Sequence, residues 1–335
     1  MLTRTEAHAA VSTALSALDD DRLTDLLAGA TPLRTGIGGT ALALDVAGAR
    51  VFVKKVPLTE LELRPENVRS TADLFGLPTF FQYGIGSAGF GAWRELAAHT
   101  ATTGWVLAGE YAGFPLMHHW RVLPGSSPTP EEHGDLERVV EYWGGSAGVR
   151  ARFEGLRRSP AQLVLFLEFL PRTVHHWLLD RIADGDEVLD AALEMVHRDL
   201  LAGTEFMASR GLLHLDAHFD NIMTDGDRLY FADFGLTTSS EFALTAAEAE
   251  FFEAHRNYDR CYTAAHFLGW LGRNLDVLPD SAAAVARHCA PIAEVLDPFF
   301  DALHGRDRTT PYPSAELDRV LAGLPPWRGA GKVGR

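Results

Sequence analysis

Three oxygen-bearing side chains lie close together in the stretch LLHLDAHFDNIMTDGDRLYFADFG (212–235) and could do chemistry together. Asp216 falls in a loop after a helical run. Asn221 lies five residues on, and Asp233 twelve residues beyond that. The Asp225-Gly226 pair between apolar runs predicts a hairpin over 221–234. A hairpin this short returns its end to its start, so Asn221 and Asp233 should converge. An amide oxygen and a carboxylate at one point make a hard-oxygen site, which suits Mg²⁺. Asp216, held beside them, could accept a proton from a hydroxyl.

The elements that must position these groups can be read along the chain. Residues 5–29 read as helix. Between Pro32 and Val56, short β-type runs are split by GIGG (36–39) and AGA (47–49), which predicts three antiparallel strands. Residues 57–91 are mixed, with a helix expected near 65–75 and then the Gly- and aromatic-rich FFQYGIGSAGFG. AWRELAAHTATTGWVL (92–107) predicts a helix, FPLMHHWRVL (114–123) a strand, and PGSSPTPEE (124–132) a loop with a polar helix after it. AQLVLFLEFLP (161–171) is an apolar strand ending at Pro171. Beyond it, Leu189, Leu193, Val196, Leu200, Gly203 and Met207 fall at helical spacing within 186–211. Helices fill 245–305, and the final LPPWRGAGKVGR reads as a frayed tail. The expected organisation is a helical extension (1–30), a sheet-rich lobe (31–167), a link (168–172), a helical lobe (173–323) and a flexible tail (324–335).

The ordered pair His214-x-Asp216-x4-Asn221 and Asp233-Phe234-Gly235 resembles the catalytic loop and metal-binding motif of the protein-kinase-like fold. That resemblance covers about residues 31–275. It implies a bilobal α+β fold with an antiparallel-sheet N-terminal lobe and a mainly helical C-terminal lobe. It also implies ATP as a substrate, Mg²⁺ held by Asn221 and Asp233, and Asp216 as the catalytic residue. Lys54 in Val51-Phe52-Val53-Lys54 matches the third-strand lysine that pairs with the nucleotide α/β-phosphates. Lys55 is adjacent, and strand alternation lets only one of the two face the nucleotide; Lys54 is the choice. Glu95 in Trp93-Arg94-Glu95-Leu96 is the candidate carboxylate to hold this lysine, with Glu62 and Glu66 as rivals. Gly36, Gly38 and Gly39 would offer free N–H groups to phosphates, although Ala41 stands where the kinase pattern has glycine. The segment Glu168-Phe169-Leu170 would be the hinge, with the backbone of Glu168 and Leu170 reaching the adenine edge.

His218 stands where protein kinases carry lysine. In this it is similar to the aminoglycoside phosphotransferase and choline kinase branch, whose loop reads HGDxHxxN; Leu215 replaces that glycine. No Ala-Pro-Glu follows Gly235, and only about ten residues precede the next helical run. A long segment for docking a polypeptide is therefore missing. The resemblance implies transfer of the γ-phosphate of Mg-ATP to a hydroxyl of a small molecule, one like an aminoglycoside, a sugar or an amino alcohol. A peptide Ser/Thr kinase of natural-product maturation and an ATP-binding pseudokinase remain alternatives. In this scheme His214 braces the loop, and His218 contacts the γ-phosphate or packs.

Composition sets outer bounds. The 335 residues carry 30 Lys plus Arg against 45 Asp plus Glu, a formal charge of −15 that argues against nucleic acid as a partner. Cys261 and Cys289 lie in apolar helical stretches and read as buried thiols. No run of 18 strongly apolar residues and no targeting signal is seen, so a cytoplasmic, non-membrane protein is expected. His197-Arg198-Asp199-Leu200 spells a kinase string but falls inside the 186–211 helix, and is read as a solvated helix face. A metal-dependent hydrolase built on His214, Asp216, His218 and Asp220 is disfavoured, because the segment is a loop with no third histidine at a fitting offset. The pairs His118-His119 and His175-His176 should point apart. Residues 248–275 read as one helix whose Glu250, Glu253, His255, Tyr258 and Asp259 either line an acceptor pocket or form the wet face of a core helix.

Overall fold

The structure is a computed structural model and describes residues 3–36, 39–84, 86–126, 128–277, 279–305 and 307–327. The chain is α+β and divides into two compact units. The first runs to Leu170 and also takes Asp233–Thr237 and Glu241–Ala247. The second comprises Pro171–Ala232, Thr238–Ser240 and the residues from Glu248 on. Among the described residues no helix is long and apolar enough to cross a membrane.

The first unit opens with α1 (Arg4–Ser16) and α2 (Asp20–Ala28) rather than one helix. The break has a local cause: the Asp19 side chain accepts the N–H of Arg22 at 2.9 Å and starts a new helix. β1 (Thr31–Gly36), β2 (Gly39–Val46) and β3 (Ala49–Leu58) follow as expected. Then come α3 (Ala92–Leu107), β4 (Met117–Pro124), α4 (Leu136–Tyr142), α5 (Ala147–Arg157) and β5 (Ala161–Glu168). The five strands form one antiparallel sheet in the order β1-β2-β3-β5-β4.

From Leu163 to Leu167 β5 is apolar because both faces of the sheet are covered. Val164 and Phe166 join Val51 and Val53 under Val11, Leu15, Leu23 and Leu27 of α1 and α2. Leu163, Leu165 and Leu167 join Val56 and Leu58 under Ala92, Trp93 and Leu96 of α3. The period-two alternation of β3 therefore turns its even-numbered residues toward α3, Lys54 among them.

The helix expected near 65–75 does not form. Only a 3₁₀ turn, Pro65–Asn67, is present, and Arg69 then takes a φ of 62°. The Asp73 carboxylate accepts the N–H groups of Phe75, Gly76 and Leu77, which gives this backbone a non-helical set of partners.

The second unit holds β6 (Arg172–Thr173), α6 (Val174–Ala183), α7 (Asp186–Ser209), β7 (Leu212–Leu213), β8 (Ile222–Thr224) and β9 (Leu229–Phe231). It continues with β10 (Thr238–Ser239), α8 (Ala246–Ala254, whose first two residues fall in the first unit), α9 (Tyr258–Asn274), α10 (Asp280–Gly305) and α11 (Ser314–Gly323). The predicted hairpin is β8–β9, joined by β6 in the order β6-β8-β9, and β10 pairs with β7. α7 buries the predicted stripe from Leu189 to Met207. Cys261 and Cys289 are free and buried.

Three expectations need correction in this unit. The helix expected over 248–275 breaks into α8 and α9 around Arg256 and Asn257. The His197-Arg198-Asp199-Leu200 string is helical but not a solvated face. His197 is only 2% exposed, and the Asp199 carboxylate accepts the N–H of Leu229 at 3.1 Å, anchoring β9. The expected frayed tail is packed at Trp327, whose ring lies 4.3 Å from that of His197. The rest of that tail, 328–335, lies outside the described residues.

Candidate functional site

The first unit gathers Lys54, Glu95 and Asp233. Lys54 Nζ donates to Glu95 Oε1 at 2.6 Å and to Asp233 Oδ1 at 2.7 Å. Lys54 is 7% exposed and Glu95 2%. Burial pulls the lysine pKa down, but the Asp233 and Glu95 carboxylates override it and hold the ammonium charged. Burial raises the Glu95 pKa against the pull of Lys54. Lys55, on the opposite face of the strand, is half-buried and has its pKa lowered by burial.

Glu95 is placed by the start of α3, and that start is fixed by Glu62. Glu62 Oε1 accepts the Ala92 N–H at 2.9 Å, and its backbone carbonyl accepts Trp93 Nε1–H at 2.9 Å. Its Oε2 accepts from Thr59 N–H at 2.9 Å and from Arg152 Nη1 at 2.8 Å. Glu62, a rival for Lys54 in the sequence, is thus committed to Arg152, and Glu66 lies exposed in the 3₁₀ turn.

Asp233 takes a φ of 62°, a left-handed conformation that few non-glycine residues adopt. The segment after it is held on several sides. The Phe234 ring lies 4.8 Å from His99 and 6.2 Å from Phe114. Gln82 Nε2 donates to the Leu236 carbonyl at 2.5 Å. A Cβ on Gly89, at φ 68°, would sit 2.2 Å from the Gly235 carbonyl oxygen. This gives the Gly-rich 83–91 stretch a packing duty that composition alone did not disclose.

The second unit holds the loop from His214 to Asn221. Asn221 Nδ2 donates to Asp216 Oδ2 at 2.9 Å and to the Asp216 carbonyl at 3.0 Å. The Asn221 carbonyl accepts the N–H of Ala232, the residue just before Asp233. His214 is fully buried. Its Nδ1 accepts the Asp216 N–H at 3.3 Å, so Nε2 carries the proton and donates to the Ala232 carbonyl at 2.9 Å. His214 therefore braces the loop, as expected. His218 Nδ1 accepts the Asp220 N–H at 3.2 Å, and its Nε2 lies 3.8 Å from Asp216 Oδ2.

Leu215, at the position the resemblance gives to glycine, has a φ of 65°. A leucine there is strained, and Asp259 compensates. Its two carboxylate oxygens accept the N–H groups of His214 and Leu215 at 2.7 and 2.8 Å. Asp259 is 3% exposed, and burial lifts its pKa to about 6 against the pull of those two N–H groups. The sequence left it between an acceptor pocket and the wet face of a core helix; in the structure it anchors the loop. Glu250 and Glu253 are exposed, while His255 and Tyr258 are buried.

The remaining candidates fall as follows. Gly36 pairs with Gly39 across the β1–β2 turn, and Gly38 lies outside the described residues. Gly39 has a φ of 112°, and a Cβ there would lie 2.1 Å from the Lys55 carbonyl oxygen, so the hairpin itself demands glycine. The Glu168 N–H is committed to the Leu116 carbonyl at 2.8 Å and is not available to an adenine. Its side chain accepts from Arg4 Nε at 2.7 Å and from the Leu116 N–H at 3.0 Å. Arg4 Nη1 also donates to the Ala112 carbonyl, and Nη2 to that of Phe114. No local signal in the sequence marked Arg4. Leu170 is the last residue of the first unit before Asp233.

The paired histidines diverge as expected. His118 Nδ1 meets His8 Nδ1 at 3.1 Å, while His119 Nε2 lies 3.3 Å from Arg121. His175 accepts from Trp270 Nε1 at 3.0 Å, and His176 bonds Thr173 at 2.9 Å. Among the described residues no group of three or more His, Cys, Asp or Glu is placed to hold a metal ion. The chain matches no family model and no curated protein sequence.

Proposed function

We propose that this chain transfers the γ-phosphate of Mg-ATP to a hydroxyl of a small molecule, on a protein-kinase-like fold of the aminoglycoside phosphotransferase and choline kinase branch. The observation that carries the reading is Lys54, buried and kept charged between Glu95 and Asp233. A buried ion cluster is a weak contributor to stability, so a charged, oriented ammonium points to a ligand. A polyphosphate is the class it would take.

Asn221 fits the metal expected of such a site. Its amide nitrogen is committed to Asp216, which leaves Oδ1 as the hard oxygen for a cation. Asn221 Oδ1 and the Asp233 carboxylate are the ligands we assign to Mg²⁺. When bound, Mg²⁺ supplies charge neutralisation at the phosphates. Lys54 orients the α/β-phosphates, and Glu95 keeps Lys54 from swinging away. Asp216, fixed through Oδ2 by Asn221, orients the acceptor hydroxyl and takes its proton. The segment from Leu236 to Thr245 is short, and its Thr238–Ser239 is paired to β7, which favours a small acceptor over a docked polypeptide.

The test is calorimetric titration of the purified chain with Mg-ATP, followed by γ-phosphate transfer assays against aminoglycosides, amino alcohols, nucleosides and peptides. Asp216→Ala should abolish transfer and keep ATP binding. A chain that binds neither ATP nor any other triphosphate refutes the reading.

A further inference from the structure

One face of α9 holds both ends of the 214–219 loop. Asp259 accepts the N–H groups of His214 and Leu215. Seven residues along the helix, His266 Nε2 accepts the Phe219 N–H at 3.2 Å. Tyr262 stands between them, three residues after Asp259 and four before His266, and so lies on the same helix face. Because its neighbours grip residues 214–215 and 219, Tyr262 faces the part of the loop in between, where Asp216 lies. A second observation agrees: after burial, the Asp216 and Asp259 charges are what raise the Tyr262 phenol pKa, so the hydroxyl keeps its proton.

The ring is clamped. It stacks on Tyr258 with centroids 5.5 Å apart and an interplanar angle of 11°, and it meets Phe300 at 5.7 Å and His266 at 6.1 Å. The hydroxyl is a different matter. Tyr230 donates to Asp225 at 2.6 Å and Tyr312 to Asn257 at 2.7 Å, yet among the described residues the Tyr262 hydroxyl has no hydrogen-bond partner. A half-buried phenol with an uncommitted proton, clamped on the helix face that holds the loop of the proposed base, is a donor waiting for an oxygen.

We propose that Tyr262 contacts the acceptor: its O–H donates to a second oxygen of the alcohol held at Asp216, selecting acceptors that carry a hydroxyl or ether oxygen next to the one phosphorylated. The proposal rests on the phosphotransfer reading and deepens it. In the transfer, the alcohol oxygen bonds to the γ-phosphorus while the bond to the β–γ bridging oxygen breaks. ADP leaves with that electron pair, and Asp216 takes the alcohol proton. Tyr262 makes and breaks no covalent bond.

The experiment compares two probe acceptors, propane-1,2-diol and 1-propanol, in the wild-type chain and in Tyr262→Phe. The phenylalanine ring keeps the stacking. The wild type should prefer the diol in kcat/KM. Tyr262→Phe should reduce that preference roughly three- to tenfold, the span of one net hydrogen bond, through the KM for the diol, with ATP affinity kept. An unchanged preference overturns the proposal. So does a joint fall in ATP affinity and thermal midpoint, which marks a structural role, or transfer to neither alcohol by a chain that binds Mg-ATP. A wild-type chain that does not bind ATP fails at the earlier reading instead, and the titration separates the two.

Discussion

Replacing Asp259 by Asn should remove a pH dependence of stability that the wild-type chain owes to this one carboxylate. Asp259 is buried on α9 and lifted from an ordinary 3.8 to about 6. The unfolded chain titrates at the ordinary value, so between pH 3.8 and about 6 the folded chain binds the extra proton. The contribution of this group is therefore fully present below pH 3.8 and is lost as pH rises through about 6. At 1.36 kcal/mol per pH unit the loss is about 3 kcal/mol. Urea unfolding of both chains from pH 4 to pH 7 measures it, since other titrating groups cancel in the difference. Wild-type stability minus that of Asp259→Asn should fall by about 2–2.5 kcal/mol across that span, because part of the loss already lies below pH 4. Asn also has one acceptor oxygen for two N–H groups, so the His214 and Leu215 amides should exchange hydrogen faster in the variant. Parallel pH profiles for the two chains would refute both the burial of this carboxylate and its role as the loop anchor.

Other substitutions follow from the same geometry. Lys54→Met leaves Glu95 buried without its cation and should cost about 3–5 kcal/mol in chemical denaturation. Adding Glu95→Leu should recover part of that stability but no transfer activity. Glu62→Ala strands Arg152 and should destabilise by a similar amount, with faster hydrogen exchange at Ala92 and Trp93. Gly39→Ala must place a Cβ against the Lys55 carbonyl and should lower the thermal midpoint, while Gly48→Ala, with open space around it, should lower it less. Asp216→Asn should reduce transfer about 10²- to 10⁴-fold with ATP affinity kept, the range expected for loss of a general base.

What the sequence disclosed was periodic or local. The alternation in RVFVKKV gave β3 and, with it, the side of the sheet on which Lys54 lies. The Asp225-Gly226 turn gave the hairpin, and the 3.6-residue spacing gave α7. The misses have one character. Glu62, Asp73, Asp259 and Arg4 are polar residues whose partners lie elsewhere in the chain or whose bonds replace a helix. Periodicity carries no information about such bonds. Asp73 turned an expected helix into a loop through three N–H groups. His197 and Asp199 look solvated in a helical pattern, yet His197 is buried and Asp199 anchors β9; only three-dimensional contacts could assign them.

The two non-glycine residues that flank the chemistry make the same physical point. Leu215 and Asp233 both sit near φ 60°, where an L-residue costs roughly 1–2 kcal/mol. Neither would hold that conformation alone. Leu215 is held because Asp259 takes its N–H and because its side chain is buried. Asp233 is held because Lys54 takes its carboxylate and Phe234 after it is packed against His99 and Phe114. In each case the strained residue lies next to, or is itself, a group assigned to chemistry, and a buried charge offsets the strain. At these two positions Asp259 and Lys54 thus support backbone shape as well as standing beside the groups assigned to chemistry. Leu215→Gly should therefore relieve backbone strain while giving up buried leucine contacts. It should also change stability less in the background of Asp259→Asn than in the wild type, because the anchor that enforces the conformation is already weakened.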